Sequence, residues 1–244
     1  MGGSDFNGDG TADIAVFRPS SRLWAIRRLT RAYFGAVGDL PVPGDYDGDG
    51  TSDIAIFRAS SGLWAIRGAD RIYYGRAGDR AVPDDYDGDG TADIAVFRPS
   101  SGLWAVRGIQ RLYFGRSGDV PIPADYDGDG FPDPGIYRQP VGLWAIRDLT
   151  RVYFGRNGDN AVPGDYDGDG TAEIGVFRQD NGLWAWRGIT RIYFGRNLDQ
   201  PSPGDYRGDG RDAIGIFRQT SGLWALRGIS RVYFGGSGDI PVTR

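Results

Sequence analysis

The sequence predicts an all-β fold, a six-bladed β-propeller with four-stranded blades. Three observations lead to this prediction. A similar segment of 40 residues recurs six times along the 244-residue chain. Each copy contains short runs of β-branched and aromatic residues between turn residues. The last copy ends in a strand-like segment that the first copy lacks. A period near 40 residues is typical of one propeller blade per repeat.

The repeat is marked by aspartate, tryptophan and glycine residues that each keep the 40-residue step. They are Asp5, Asp45, Asp85, Asp125, Asp165 and Asp205; Trp24, Trp64, Trp104, Trp144, Trp184 and Trp224; and Gly35, Gly75, Gly115, Gly155, Gly195 and Gly235. The repeats span 5–44, 45–84, 85–124, 125–164, 165–204 and 205–244. We therefore expect one β-propeller domain over residues 5–244, and we interpret residues 1–4 as an artificial start added in cloning.

The third repeat shows how the strands are predicted. Residues 93–98, 103–107 and 111–114 are rich in Ile, Val, Phe, Tyr and Trp and are bounded by Gly, Pro, Ser and Asp, as is typical of strands joined by tight turns. A shorter extended segment over 120–123 has proline at alternate positions, which favours a strand that lines a channel. Both faces of the first run are apolar, so each sheet must be covered on both sides, as in radially packed blades.

The two ends of the chain predict that the ring closes. The first repeat starts at its aspartate loop with no short proline-containing strand before it, whereas the last repeat continues through residues 238–242. Pairing of this C-terminal strand with the first blade completes a four-stranded sheet and removes exposed sheet edges. An open stack of the same units would need polar end caps, and none is visible in the sequence.

The composition excludes several function classes. The chain has no Cys and no His, which removes disulfides, thiolate nucleophiles and typical zinc sites. The 32 acidic residues outnumber the 28 basic residues, all of them Arg, so the net charge of −4 does not support nucleic-acid binding. No stretch approaches the length of apolar residues needed to span a membrane, and no unique nucleophile and base stand together. We expect a monomer that is not an enzyme and binds neither nucleic acid nor membrane.

An aspartate-rich loop opens every repeat. In the second copy, residues 45–53 read Asp-Tyr-Asp-Gly-Asp-Gly-Thr-Ser-Asp, with carboxylates at loop positions 1, 3, 5 and 9 and glycine at positions 4 and 6. Hard divalent cations take several oxygen ligands at about 2.3–2.6 Å, which alternate side chains of a tightly curled loop can provide. The carbonyl at position 7 can add a ligand. The loop leads directly into a strand, which distinguishes it from an EF-hand.

The sequence therefore predicts about five Ca²⁺ sites. The predicted ligands are Asp5, Asn7, Asp9, Thr11 and Asp13; Asp45, Asp47, Asp49, Thr51 and Asp53; Asp85, Asp87, Asp89, Thr91 and Asp93; Asp125, Asp127, Asp129, Phe131 and Asp133; and Asp165, Asp167, Asp169, Thr171 and Glu173.

The sixth loop departs from the pattern. It has Arg207 at position 3 and Ala213 at position 9. We expect it to bind no calcium, with the Arg207 guanidinium neutralising its neighbours. The alternative for all six loops is that Asp and Gly only form tight turns. Repulsion among crowded carboxylates without a cation favours the metal interpretation.

The loop followed by an apolar strand, together with Phe-Gly at 34–35, 114–115, 154–155, 194–195 and 234–235, resembles the FG-GAP repeats of integrin alpha-subunit propellers. It resembles more closely the short VCBS-type repeats of bacterial secreted and surface proteins. The resemblance covers all six copies and implies calcium loops beside the innermost strand, an adhesive or binding role, and an extracellular or cell-surface location. The Gly-Ala-Pro element of those families is replaced by Phe17-Arg18-Pro19 and its equivalents, so ligand specificity does not carry over.

Two recurrent residue sets allow two interpretations each. The tryptophans, with Tyr33 and its equivalents, either fill the space between sheets or form stacking platforms for sugars, and strand-interior aromatics favour the core. Arg18, Arg27 and Arg31 recur in every copy, and pairing with the many aspartates is favoured over ligand binding. The turns that vary most between copies lie on the face opposite the loops, where we expect a partner to bind.

The leading functional hypothesis is a calcium-binding propeller that acts as a binding or adhesion module for glycans or for a protein ligand. The alternative is a structural scaffold, reconstructed or engineered, that binds metal but no other ligand. Five Ca²⁺ ions would change the net charge from −4 to about +6. The sequence therefore also predicts salt-sensitive binding to acidic glycans.

Overall fold

A computed structural model describes residues 3–69 and 71–243. Within these residues the chain forms short strands and a single 3-10 turn, Gln139–Val141. The strands are β1 (Ala15–Arg18), β2 (Leu23–Ile26), β3 (Thr30–Tyr33), β4 (Leu40–Pro41), β5 (Ala55–Arg58), β6 (Leu63–Ile66), β7 (Arg71–Tyr73), β8 (Arg80–Ala81), β9 (Ala95–Arg98), β10 (Leu103–Val106), β11 (Gln110–Tyr113), β12 (Val120–Pro121), β13 (Gly135–Arg138), β14 (Leu143–Ile146), β15 (Thr150–Tyr153), β16 (Asp159–Ala161), β17 (Gly175–Arg178), β18 (Leu183–Trp186), β19 (Arg191–Tyr193), β20 (Gln200–Pro201), β21 (Gly215–Arg218), β22 (Leu223–Leu226), β23 (Ser230–Tyr233) and β24 (Ile240–Pro241). None of the described residues forms a helix long and apolar enough to cross a membrane.

These strands form six antiparallel four-stranded sheets, which we number as blades 1 to 6. Blade 1 has the strand order β24-β1-β2-β3, and each later blade uses four consecutive strands, beginning with β4 in blade 2 and ending with β23 in blade 6. The predicted six-bladed propeller is therefore confirmed. The predicted strand 93–98 is observed as β9, two residues shorter at its start, because the aspartate loop extends further than the apolar pattern suggests.

The C-terminal strand closes the ring, as predicted. In blade 1, Phe17 pairs with Ile240 and Val16 pairs with Pro241. The Val242 amide also donates to the Ala15 carbonyl at 2.9 Å. This pairing covers the edge of β1, which would otherwise present unpaired backbone groups.

The core lies between neighbouring blades, because both faces of each sheet are apolar. Phe57 and Trp64 of blade 2 pack in one cluster with Val96 and Leu103 of blade 3. The Trp64 ring lies 5.0 Å from the Phe57 ring, and its indole N–H donates to the Tyr74 carbonyl at 3.0 Å. All six repeated tryptophans are at most 2% exposed. The core interpretation is therefore confirmed for the tryptophans. It is wrong for Tyr33 and its equivalents, which are 71–76% exposed.

The strand directions give the propeller two different faces. The loop face carries the six aspartate loops and the turns between the second and third strands of each repeat, such as residues 27–29. The opposite face carries the turns after the first and third strands, such as residues 19–22 and 34–39. The short inner strands β4, β8 and β12 line the central channel, which agrees with the prediction from their alternate prolines.

Candidate functional site

Each aspartate loop is curled by its own first carboxylate. In loop 2, the Asp45 Oδ1 accepts the Gly48 amide at 2.7 Å and its Oδ2 accepts the Gly50 amide at 2.9 Å. Gly48 and Gly50 have φ values of 77° and 85°, which side chains other than glycine rarely adopt. The first aspartate thus fixes the turn and keeps its carboxylate at the centre of the loop.

The ninth loop position returns a second carboxylate to the same place. The Asp53 Oδ2 accepts the Tyr46 amide at 2.9 Å. In loop 5 the longer Glu173 makes the equivalent contact, with its Oε2 accepting the Tyr166 amide at 2.7 Å. The ninth residue therefore joins the start of the loop to the start of the following strand.

Four loops bring carboxylate oxygens within 4.8 Å of one another. Loops 2, 3 and 4 do so with positions 1, 3 and 9, and loop 5 does so with all four carboxylates. The clusters are Asp45, Asp47 and Asp53; Asp85, Asp87 and Asp93; Asp125, Asp127 and Asp133; and Asp165, Asp167, Asp169 and Glu173. These clusters could hold a metal ion.

The fifth loop position differs from this arrangement in loops 2 to 4. Asp49, Asp89 and Asp129 lie outside the clusters. The Asp49 Oδ1 accepts both the amide and the hydroxyl of Thr51, at 2.8 and 2.5 Å. The hydrogen bond from the Thr51 hydroxyl makes the largest contribution to lowering the pKa of Asp49. The equivalent threonine hydroxyls lower the pKa values of Asp9, Asp89 and Asp169 in the same way. Metal ligation by these residues and by the position-7 carbonyls stays a prediction.

The carboxyl groups at loop position 9 have raised pKa values, because their charged forms are unfavourable in the clusters. Burial first, and repulsion from the other loop aspartates in addition, raise the pKa of Asp133 to about 6. The same causes raise the pKa of Asp53, Asp93 and Glu173. A bound divalent cation would reverse this effect by favouring the ionised carboxylates.

Loop 1 has the same curl with a different donor set. The Asp5 Oδ1 accepts the Gly8 amide at 2.7 Å, and the Asp13 Oδ2 accepts the Phe6 amide at 2.9 Å. Asn7 supplies an amide in place of the third-position carboxylate, so the described part of loop 1 contains no cluster of three acidic side chains. Its role as a fifth calcium site stays a prediction.

Loop 6 has the same curl but lacks carboxylates at positions 3 and 9. The Asp205 carboxylate accepts backbone amides only, including Gly208 at 2.7 Å and Gly210 at 2.8 Å. The Arg207 guanidinium donates to the Arg227 carbonyl at 3.5 Å, and no salt bridge joins it to a described carboxylate. The predicted neutralising role of Arg207 is therefore not seen, because its long side chain extends away from the loop.

The last acidic residue of loop 6 stands one position earlier than in the other five loops, a signal in the sequence that the predictions above do not include. Asp212 stands at position 8, where the other loops have Ala, Ser or Pro. Its Oδ1 is buried without a hydrogen-bond partner among the described residues. Burial raises its pKa to about 7, and repulsion from Asp165 and Asp205 acts in the same direction. A Cβ at Gly164 would approach the Asp212 carboxylate so closely that this carboxylate would have to move.

Backbone hydrogen bonds link neighbouring loops around the ring. The position-8 amide donates to the position-1 carbonyl of the preceding loop, as in Ala92 to Asp45 at 2.5 Å and Ala12 to Asp205 at 2.7 Å. Pro132 has no amide hydrogen, so this bond is missing between loops 3 and 4. In loops 2, 4 and 5, the first aspartate therefore belongs both to a candidate metal site and to a blade contact.

The opposite face neutralises its carboxylates with arginine. At the end of the first strand of each repeat, an arginine binds a fully buried aspartate through two hydrogen bonds. In blade 4, Arg138 Nε and Nη2 donate to the two Asp119 oxygens at 2.7 and 2.9 Å. The pairs are Arg18–Asp239, Arg58–Asp39, Arg98–Asp79, Arg138–Asp119, Arg178–Asp159 and Arg218–Asp199. For the Arg18 family, the interpretation as structural ion pairs is confirmed. For the Arg31 family it is wrong, because those arginines form no salt bridge within the described residues.

The outer strand of each blade exposes a tyrosine beside an arginine. In blade 5, Leu183 of β18 lies opposite Arg178 of β17 and opposite Tyr193 of β19, so the three side chains are on the same face of the sheet. The equivalent tyrosines are 71–76% exposed: Tyr33, Tyr73, Tyr113, Tyr153, Tyr193 and Tyr233. Two residues before each tyrosine, the same strand carries an exposed arginine that forms no salt bridge within the described chain. These arginines are Arg31, Arg71, Arg111, Arg151, Arg191 and Arg231. We call these twelve residues the rim ladder.

Comparison with known proteins supports the fold. No family model and no curated protein matches the chain. A solved structure with a similar fold is that of a lectin from Agrocybe aegerita, described as the structural basis of its specific recognition of non-reducing terminal N-acetylglucosamine. The similarity covers 96% of this chain and 76% of the lectin chain, with a TM-score of 0.57 and 17% sequence identity. The two chains are therefore similar in architecture.

Proposed function

We propose that this protein is a calcium-stabilised, multivalent carbohydrate-binding module that acts outside the cell. Its acidic clusters are the proposed metal sites, and the rim ladder is the proposed sugar-binding surface. The observation that carries the carbohydrate assignment is the set of six tyrosines, each 71–76% exposed and each beside an arginine without a salt bridge.

The metal assignment rests on the chemistry of the donors. The clusters contain only oxygen ligands, which Ca²⁺ and Mg²⁺ prefer. Flexible loops with several carboxylates favour Ca²⁺, because Mg²⁺ requires a near-ideal octahedral shell. The raised pKa of Asp133 and the crowding of four carboxylates in loop 5 both describe a site that a cation would stabilise.

The sugar assignment rests on the exposure of the tyrosine rings. A tyrosine combines an apolar ring face with a hydroxyl group, and such residues are enriched at interfaces. Flat apolar faces of sugar rings can stack on it, while the neighbouring guanidinium offers hydrogen bonds to hydroxyl or acidic groups. The lectin with a similar fold supports the class of ligand but not its identity.

Calcium also changes the charge on which binding depends. The chain carries −4, and five bound Ca²⁺ ions would bring it to about +6. The rim arginines would then face acidic glycans without opposition from the loop aspartates. We therefore expect sulfated or uronate-containing glycans to bind better than neutral ones, and high salt to weaken the binding.

A glycan array probed in calcium and in chelator tests this function. The expected result is binding of acidic glycans that decreases in the triple variant Tyr73→Ala, Tyr113→Ala and Tyr153→Ala. A matched control removes three exposed apolar residues from turns of the opposite face: Val37→Ala, Val141→Ala and Leu198→Ala. Equal binding by both variants would reject the rim assignment. Absence of any glycan binding would favour the scaffold alternative.

A further inference from the structure

The central channel contains a cavity of about 410 Å³, within the size range of small-molecule sites. Its walls come from the inner strands and the residues that follow them. They are mainly apolar, including Pro41, Val42, Val82, Val120 and Ile122. The cavity is thus a concave apolar site in the centre of the ring, separate from the acidic clusters and from the rim ladder.

One cation interrupts this apolar lining. Arg80 opens strand β8 and lines the cavity at its end near the opposite face. The equivalent positions in the other blades carry no charge: Leu40, Val120, Asn160, Gln200 and Ile240. The six repeats are similar in sequence, but the residue at this position is different in every blade. A cation at this position therefore occurs once in the propeller.

The Arg80 guanidinium is held in place but not neutralised. Its Nη1 donates to the Asp119 carbonyl at 3.3 Å, while the Asp119 carboxylate is occupied by Arg138. Within residues 3–69 and 71–243, Arg80 forms no salt bridge. A guanidinium has five N–H donors in a planar fork that matches a carboxylate, so most of its donors are available to a ligand.

The surrounding charge favours an anion at this end of the channel. By the strand directions, the opposite face carries twelve arginines and seven aspartates, a net charge of +5. They are the six Arg–Asp pairs together with Arg22, Arg76, Arg80, Arg116, Arg156, Arg196 and Asp180. At the other end of the cavity stands Asp84, about 13 Å away along an extended strand. The cavity is therefore positive toward the opposite face.

We propose that the channel binds an organic anion with a carboxylate head and an apolar body. The carboxylate pairs with the Arg80 fork at the opposite face, and the apolar body lies along the proline, valine and isoleucine walls. This site would be present once per molecule, whereas the rim ladder repeats six times.

Titration with hexanoate tests the proposal, with binding followed by calorimetry and by saturation-transfer NMR. The wild-type protein is expected to bind hexanoate saturably at one site and acetate at least about tenfold more weakly, because acetate lacks the apolar body. Arg80→Gln is expected to reduce hexanoate affinity at least about tenfold, since a charge-assisted contact is lost. Arg116→Gln removes the same charge from the same face outside the cavity and is expected to stay within about twofold of wild type.

Two further measurements distinguish the sources of the carboxylate. A short peptide that ends in Leu-Val is compared with its C-terminal amide. Peptide binding that is lost on amidation identifies a chain terminus as the ligand, whereas binding of hexanoate alone identifies a free organic acid. The rim tyrosine variants should leave hexanoate affinity unchanged, so this site can fail or succeed independently of the sugar site.

Two results would overturn the proposal. One is the absence of saturable binding of both probes to the wild-type protein. The other is an equal loss of affinity in Arg80→Gln and Arg116→Gln, which would reflect only the general charge of the face. Melting temperatures of the variants confirm that they are folded, and Arg80→Lys, which keeps the charge without the fork, is expected to retain part of the affinity.

Discussion

The two faces of the propeller hold carboxylates in opposite ways. On the face opposite the loops, six of the seven aspartates have fully buried side chains. Each of the six accepts hydrogen bonds from Nε and Nη2 of one arginine, as in Asp119 and Arg138. On the loop face, three or four carboxylates approach within 4.8 Å of one another without an internal cation. One face is neutralised by the chain itself, and we expect the other to depend on an ion from solution. Folding stability should therefore depend on calcium through one face only.

The largest expected effect is the loss of calcium. With a dissociation constant of about 0.1 mM and about 2 mM calcium, each independent site adds roughly 1.8 kcal/mol to the free energy of unfolding, so five sites add about 9 kcal/mol. Urea unfolding in calcium and in chelator measures this difference. An unchanged midpoint in chelator would reject the metal assignment.

A pair of equivalent substitutions locates that effect. Asp169→Asn at position 5 of loop 5 should reduce the calcium-dependent part of the stability, because Asp169 belongs to a four-carboxylate cluster. Asp209→Asn changes the same position of loop 6 and should leave it unaltered. A sixth calcium in a binding titration would contradict the prediction for loop 6.

The next largest effect should come from the opposite face and should not depend on calcium. Asp119→Asn leaves the Arg138 side chain, which is 19% exposed, without its anion, and breaking a buried pair costs about 3–5 kcal/mol. The control is Asp180→Asn. Asp180 pairs with Arg156 where both side chains are more than half exposed, so its loss should cost less than about 1 kcal/mol. A calcium-dependent cost for Asp119→Asn would contradict the separation of the two faces.

The smallest expected effect concerns Asp212, whose Oδ1 is buried without a hydrogen-bond partner among the described residues. Asp212→Ala should stabilise the protein at pH 8 by about 1–3 kcal/mol, because it removes a buried carboxylate that lacks a partner at one oxygen. The folded-state pKa of Asp212 is raised from 3.8 to about 7. Its contribution to stability is therefore fully present below about pH 4 and is lost as the pH rises to about 7.

Unfolding curves of wild type and Asp212→Ala between pH 4 and pH 8, in chelator, measure this difference. The advantage of the variant should grow with pH and become constant above about pH 7. A destabilised variant, or a difference that does not change with pH, would show that Asp212 is compensated in the folded protein.

The strength of the sequence prediction differed between these regions. The loops were recognisable because their carboxylates lie within nine consecutive residues, so local spacing is enough to predict that they cluster. Asp119 and Arg138 are 19 residues apart, and the spacing alone does not show that two strand ends meet. Asp212 was missed although its signal is visible: an acidic residue at a position that is small or proline in the other five loops.

The sequence by itself determined the number of blades, the strand that closes the ring and the position of the acidic loops. These follow from a fixed period and from alternating apolar residues, which are local properties of the chain. Only the tertiary structure decided which side chains are exposed. Trp64 and Tyr73 are both strand aromatics, yet one is fully buried between blades and the other is 71% exposed. The reason is radial packing: neighbouring blades cover the middle strands from both sides, and the outer strand is left at the rim, where Tyr73 meets solvent.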